Sequence, residues 1–302
     1  MGPGRSSSWV ALIATIALAG SALWVRPAPA AFPGANGRIV FVDGRPAADG
    51  AETSRLRSVR PDGRGIRTLL RVTGTQPLGG PFLPRWSPNG RRIVLALKAS
   101  IITIDARGRD RRAIARSDTV FNPSWAPDGR RLLFFRPNAL HVMAADGSHP
   151  RLLFGGLPGN PEVPMWAARG GRVAFEIYTS GTPTLWTART DGAEARPRVV
   201  GGARPAFSPD GGALAFALRD RVWIMPAGGG PARAVSKRSP GEVVHGLAFS
   251  PDGRFLLIAR QRQVGTIGPS RLFIVRRRDG RERVLRVSRW AASPDWQPLP
   301  SD

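Results

Sequence analysis

The chain reads as an all-β protein, a six-bladed β-propeller of four-stranded blades whose ring is closed by the C-terminal strand pairing with the N-terminal blade. Three observations predict this. A short phrase recurs six times, its aromatic anchor returns at a near-constant interval, and one copy is divided between the two chain ends. A closed ring of repeats is the arrangement that asks the last strand to complete the first unit.

The divided copy comes first. Asn36-Gly37-Arg38-Ile39-Val40-Phe41 supplies its back half, and Pro294-Asp295-Trp296-Gln297-Pro298 the front half. Whole copies follow at Trp86-Ser87-Pro88-Asn89-Gly90-Arg91-Arg92-Ile93, at Trp125-Ala126-Pro127-Asp128-Gly129-Arg130-Arg131-Leu132, at Phe207-Ser208-Pro209-Asp210-Gly211 and at Phe249-Ser250-Pro251-Asp252-Gly253-Arg254-Phe255-Leu256. A worn copy stands at Met165-Trp166-Ala167-Ala168-Arg169-Gly170-Gly171-Arg172-Val173. The anchors Trp86, Trp125, Trp166, Phe207, Phe249 and Trp296 lie 39, 41, 41, 42 and 47 residues apart. A four-stranded blade takes roughly 40–45 residues. Within each phrase, Ser, Pro, Asp and Gly in that order suit a type I turn, with φ preset at the proline.

A second punctuation falls between these copies. Asp62-Gly63, Arg107-Gly108, Asp146-Gly147, Asp191-Gly192, Gly228-Gly229 and Asp279-Gly280 each separate two apolar runs, as Asp279-Gly280 separates Leu272-Phe273-Ile274-Val275 from Val284-Leu285. Each blade therefore runs strand, Pro-Asp-Gly turn, strand, variable loop, strand, Asp-Gly turn, strand. Both tight turns fall on one face of the disc and the variable loops on the other.

Composition agrees with one folded ring. Repeat folds escape the usual limit on domain size because each blade buries its faces against its neighbours. The 302 residues contain no cysteine, so closure depends on backbone pairing, and 36 Gly with 29 Pro fit a chain dense in turns. Residues 1–30 read as a secretory signal peptide: Arg5 precedes an uncharged stretch from Trp9 to Val25, and Ala28-Pro29-Ala30 is a small-x-small cleavage site. Residues 31–302 form the propeller. The expected location is secreted or extracytoplasmic in a bacterial cell envelope, with an uncleaved N-terminal membrane anchor as the alternative.

The net charge is +24, and only Lys98 and Lys237 of the 45 basic residues are lysines. Arg38, Arg91, Arg92, Arg130, Arg131 and Arg254 follow the Pro-Asp-Gly turns, while Arg64, Arg109, Arg111, Arg112, Arg276, Arg277, Arg278, Arg281 and Arg283 flank the second hairpins. The tight-turn face is therefore expected to be basic and to attract anionic envelope polymer or an anionic membrane surface. Nucleic acid is not expected as a partner, since no aromatic stacking platform interleaves with the arginines.

Most of the repeated residues read as structural. The six aromatic anchors are expected to wedge between blades, and Pro84, Pro123, Pro164, Pro205 and Pro294, two residues earlier, to stiffen the innermost strand where a missing donor is tolerated. Asp128, Asp210 and Asp252 read as acceptors within their own turns rather than as metal ligands. Trp-Ser-Pro-Asp-Gly-Arg-Arg-Ile followed by Phe or Leu is a WD-type repeat that resembles that of the TolB-type propellers. Pro294-Asp295-Trp296-Gln297-Pro298 is similar to their closing strand, and the resemblance runs from Phe32 to Pro298. It implies the propeller, a protein-binding platform in that family. The small α/β domain that precedes the propeller in TolB itself has no counterpart between Ala30 and Phe32.

Enzyme signatures are scarce. There is no Gly-x-Ser-x-Gly nucleophile elbow. Of the three histidines, His141 lies in the apolar run Leu140-His141-Val142-Met143 and His149 follows an Asp-Gly hairpin. His245 stands level in the repeat with Phe82, Phe121, Glu162, Ala203 and Ala292, a set expected to ring the upper ends of the inner strands, with Asn122, Arg204 and Ser293 one position further on. Six-bladed lyases and lactonases place a His base and a divalent metal at that level, but with several carboxylates where this ring supplies one Glu. The reading is a monomeric, non-enzymatic platform that binds a protein or an envelope polymer, with no cofactor and no metal; a propeller lyase or hydrolase is the alternative. Binding is expected on the loop side, where Asp43–Ser54, Val72–Leu83, Gly155–Val163, Ser236–His245 and Arg260–Ser270 differ in every blade. The candidate binding residues are Arg238, Arg260 and Arg262 on flexible loops, and Glu162, Arg204 and His245 nearer the channel.

Overall fold

The structure, a computed structural model, describes residues 33–45, 52–74, 83–97, 100–116, 121–262 and 268–300. The expected leader lies outside these residues, as do parts of three of the expected loops. Twenty-four strands among the described residues form six four-stranded antiparallel sheets arranged as the blades of a propeller. Among them no helix is long and apolar enough to cross a membrane.

Blade 1 is the divided one. Its inner strand is β24 (Ala291–Leu299), followed outward by β1 (Ala35–Arg45), β2 (Glu52–Val59) and β3 (Arg67–Gly74). Blade 2 holds β4 (Arg85–Trp86), β5 (Arg92–Ala96), β6 (Ser100–Asp105) and β7 (Arg112–Arg116); blade 3 holds β8 (Phe121–Trp125), β9 (Arg131–Arg136), β10 (Ala139–Ala144) and β11 (Arg151–Phe154). Blade 4 runs through β12 (Pro161–Trp166), β13 (Arg172–Thr179), β14 (Thr182–Arg189) and β15 (Arg196–Val200). Blade 5 contains β16 (Gly202–Phe207), β17 (Ala213–Leu218), β18 (Arg221–Pro226) and β19 (Arg233–Ala234), and blade 6 contains β20 (Glu242–Phe249), β21 (Phe255–Arg262), β22 (Ser270–Arg276) and β23 (Glu282–Leu285).

The ring closes through β24 and β1, which pair Trp296 with Ile39 and Asp295 with Val40. Side chains reinforce the joint on both flanks. Trp296 Nε1 donates to the Gly37 carbonyl at 3.1 Å, and Gln297 accepts from the Arg38 amide and donates to the Gly90 carbonyl of blade 2. On the other side Asn36 donates to Asp252 Oδ2 at 2.9 Å, so the blade 6 turn is tied to blade 1.

All six aromatic anchors are buried, and each packs on the blade before its own. Trp86 sits with Val40, Val42 and Leu56, Trp125 with Val94 and Ile101, and Trp166 with Leu133 and Val142. Phe207, Phe249 and Trp296 meet Leu185, Ala215 and Leu272 in the same way. The core is thus a set of six interblade layers, and truncating one such ring to alanine costs about 3–5 kcal/mol.

The phrase around each anchor folds as turn chemistry dictates. The Gly90, Gly129, Gly211 and Gly253 amides donate to the carbonyl three residues back, with each glycine at positive φ. In three of these turns the serine hydroxyl also accepts the amide five residues on, at 2.9 Å from Arg92, Ala213 and Phe255. Asp128, Asp210 and Asp252 accept backbone amides of their own turns. Glycine is demanded at Gly90 for a second reason, since a Cβ there would lie 2.0 Å from the Pro298 carbonyl oxygen.

Candidate functional site

The inner strands are bulged just before the anchors. Register shifts fall between Phe121 and Ser124, Glu162 and Met165, Ala203 and Ala206, and Val244 and Gly246. A shift opposite Val40 and Val42 marks the same place on β24. The residues before the prolines, Asn122, Val163, Arg204 and Ser293, take φ of 55°, 46°, 54° and 47°. Proline fits such a place because the extra residue of a bulge makes no ladder bond, and the kink re-aims the side chains beside it. The periodic prolines were legible in the sequence; the bulges they occupy were not.

These bulges bring Arg204 and His245 together at the head of the channel, around a cavity of about 10 Å³ that Arg85, Val163, Ser293 and Pro294 also line. The space holds little more than one water. His245 Nε2 meets Ser270 Oγ at 2.6 Å, and that hydroxyl donates to the Ala291 carbonyl at 2.6 Å, so the imidazole is the donor in the first bond. Only partly covered from solvent, the ring is nonetheless densely surrounded by protein. That burial, with the positive charge of Arg204, pushes its pKa down to about 4.

Glu162 lies directly across the β12–β13 ladder from Glu176. Glu176 is fully buried; its Oε2 accepts the Arg204 amide at 2.6 Å, and its Oε1 lies 3.2 Å from the Arg204 guanidinium. Burial lifts the Glu162 carboxyl above the usual carboxylate range, Glu176 adds to the rise, and Arg204 offsets part of it. A second carboxylate therefore stands at this level, one the sequence reading missed. Its trace was a lone charge inside the apolar run Val173-Ala174-Phe175-Glu176-Ile177. Tyr178, the sole tyrosine of the chain, remains 38% exposed on the same strand, and its hydroxyl is held above its ordinary pKa by burial and by Glu176.

Beside the same cavity, Asp295 and Arg85 are desolvated together. Asp295 Oδ2 accepts the Trp86 amide at 2.7 Å, and burial raises its pKa to about 6 against the opposing pull of Arg85. Asn122, at the equivalent bulge of blade 3, is 1% exposed, and neither polar atom of its amide has a hydrogen-bond partner among the described residues.

The remaining candidates are elsewhere. Arg238 is exposed in the connection from blade 5 to blade 6 and pairs with Asp220 at 3.1 Å. Arg260 and Arg262, expected on a flexible loop, belong instead to β21, which runs on as far as Arg262. Arg260 is 3% exposed, grips both oxygens of Glu282 at 2.6 and 2.9 Å, and stacks 4.8 Å from the Phe273 ring centroid. Glu282 in turn accepts the Lys237 amide at 2.7 Å, so this arginine fastens the connection between the blades. The expectation failed because a Gly-rich run past residue 262 gave no sign of where pairing with β22 stops. The loop side also differs from expectation in blades 3, 4 and 5, where the second and third strands join through the two-residue turns Pro137-Asn138, Ser180-Gly181 and Arg219-Asp220. No group of three or more His, Cys, Asp or Glu placed to hold a metal ion occurs among the described residues.

The family model of the TolB beta propeller domain matches residues 32–300. No curated protein sequence matches the chain. Among solved structures the chain is similar to TolB from Acinetobacter baumannii, with 22% identity and a TM-score of 0.71 over 87% of this chain and 67% of that one. It is also similar to a chain of the nidogen/laminin complex, with 12% identity and a TM-score of 0.66 over 86% and 98%. An oligogalacturonate lyase in complex with manganese gives 12% identity and a TM-score of 0.50 over 83% and 74%. At these identities the likeness is one of fold, and the fold serves binders and enzymes alike.

Proposed function

Because the chain belongs to the TolB β-propeller domain family, we propose that it is a non-enzymatic binding platform outside the cytoplasm, engaging a protein or an anionic envelope polymer on the loop side of the ring. The observation that carries this reading is the filling of the channel head. Arg204 is held by Glu176, Arg85 lies beside Asp295, and the space left among them is about 10 Å³. A substrate bound at that level would need a pocket of some hundreds of Å³, so recognition on this side of the ring falls to the rim. There Tyr178 and Arg238 offer an exposed aromatic and an exposed base, residue types that carry much of the contact energy at protein interfaces, beside the half-buried Glu162.

The alternative, a lyase or hydrolase at the channel mouth, draws on the Glu162/Glu176 pair. Against it stands His245, whose hydrogen bond goes to Ser270 and whose low proton affinity makes it a weak base at neutral pH. Extracytoplasmic placement rests on the leader read at residues 1–30.

The test is affinity capture from envelope extract with protein beginning at Ala31, alongside a rim variant, Tyr178→Ala with Arg238→Glu. One captured protein or polymer, weakened at least about tenfold by the rim variant, supports the platform. Capture that survives those changes and is abolished by reversing Arg91, Arg130 and Arg254 on the other face overturns the choice of face. Cleavage of a captured polymer, lost in His245→Gln, would replace the platform with the enzyme.

A further inference from the structure

The turn side of blade 6 carries a groove of about 610 Å³ that the platform reading leaves unused. Its walls are Arg233, Arg254, Arg276, Arg277, Arg278, Arg281 and Arg283, over a floor that includes Phe255 and Ile274. The acid in its lining is Glu282, and that carboxylate is already held through both oxygens by Arg260. A second groove of about 360 Å³ adjoins it, sharing Arg233, Arg277 and Arg278 and adding Arg221 and Lys237. Asp279, which lines the second groove, is divided among Arg276 at 2.9 Å and Arg278 and Arg281 at 3.8 Å each. Cations therefore outnumber uncommitted anions severalfold within one concave surface.

Several of these arginines are held in place before any ligand arrives. Arg277 lies 5.8 Å from the Phe249 ring centroid and Arg254 6.0 Å from that of Phe255, while the Arg277 amide donates to the Arg254 carbonyl and locks the two turns side by side. Arg283 reaches across to the Pro61 carbonyl of blade 1 at 2.7 Å. Like charges gathered this way repel one another, and the repulsion is relieved by a ligand of high negative charge. Arginine presents a fork of donors matched to phosphate oxygens. A terminal phosphate group brings about two charges and three acceptor oxygens, where a carboxylate brings one charge.

We propose that this groove binds a soluble ligand carrying adjacent phosphate groups, with the phosphates among Arg254, Arg277, Arg278 and Arg281 and the remainder of the ligand against Phe255 and Ile274. The concave shape favours a molecule that enters the groove over a flat membrane face. The site lies on the face opposite the rim of the proposed platform, so either reading can fail without the other.

Titration calorimetry with tripolyphosphate, pyrophosphate, inorganic phosphate and citrate tests it. The variant is Arg278→Glu with Arg281→Glu, whose side chains are 77% and 81% exposed and carry little of the fold. A control reverses the same charge at Arg151 and Arg196, exposed on blades 3 and 4. The expected result is one saturable site for tripolyphosphate, tighter than for phosphate or citrate, weakened about tenfold or more in the groove variant and unchanged in the control. Equal losses in both variants would reduce the binding to bulk charge and overturn the site. Citrate binding as tightly as tripolyphosphate would overturn the ligand class, and binding to phosphatidylglycerol vesicles without binding to tripolyphosphate would overturn the soluble source.

Discussion

The two ends of the ring treat charge in opposite ways. At the channel head, Arg204 meets Glu176, Arg85 lies beside Asp295, and burial together with the charge of Arg204 holds His245 neutral. On the turn side of blade 6, seven arginines line one groove against a single carboxylate that is already engaged. Paired and desolvated charges hold structure: breaking such a pair leaves a buried ion uncompensated. Exposed and unpaired charges contribute little to stability and remain available to a ligand. The difference teaches that the net charge of this chain says less about binding than the local ratio of acids to bases.

Closure is the condition for either end to exist, and losing it gives the largest effect. Removing Ser293–Asp302 takes away most of β24, with Trp296 and Gln297, and leaves β1 as an open edge. The expected outcome is aggregation or loss of cooperative melting in calorimetry. A truncated protein melting with the parent would show that the blades stand without the closing strand.

Next comes the paired end. Arg204→Ala leaves the backbone amide on Glu176 Oε2 but takes the guanidinium from this fully buried carboxylate, and is expected to cost about 3–5 kcal/mol in denaturant unfolding. Arg260→Ala should cost a similar amount through Glu282, because Arg260 fastens blade 5 to blade 6. A loss below about 1 kcal/mol in both would place these residues with ordinary surface pairs.

The dependence on pH sharpens the comparison further. His245 has its folded pKa depressed to about 4 from 6.5, so the unfolded chain takes up the proton first. Stability from this group is present above pH 6.5 and is lost as the pH falls toward 4. Asp295 works the other way, since its pKa is raised to about 6: its contribution is present below the unfolded value of 3.8 and is lost as the pH rises through 6. Melting temperatures of the parent and His245→Gln should therefore converge as the pH falls from 7 to 4. Parallel curves would mean that the imidazole is not held neutral.

The smallest effect belongs to the unpaired end. Arg278→Ala with Arg281→Ala should alter unfolding free energy by no more than about 0.5 kcal/mol. A larger destabilisation would mean that these side chains serve the fold and would erase the contrast between the two ends.

The repeat, its period and the divided copy were sufficient in the sequence to determine blade number, strand order within a blade, the turn chemistry and the closing strand. Those features are local or periodic: Ser-Pro-Asp-Gly bends the chain wherever it stands, and the aromatic returning every 39 to 47 residues sets one wedge per blade. The level of Glu162, Arg204 and His245 was legible for the same reason, since equal positions in a repeat lie at equal heights in a ring. Tertiary structure alone decided what those residues meet. Glu176 became the partner of Arg204 because the neighbouring blade carries it there, Arg260 became a buried fastener because β21 runs on past the expected loop, and arginines from turns and strands far apart in sequence formed one groove. Such pairings depend on strand length, bulges and the packing of one blade on the next. Side-chain environment is a property of contacts between repeats, and a repeat pattern fixes position without fixing the neighbour.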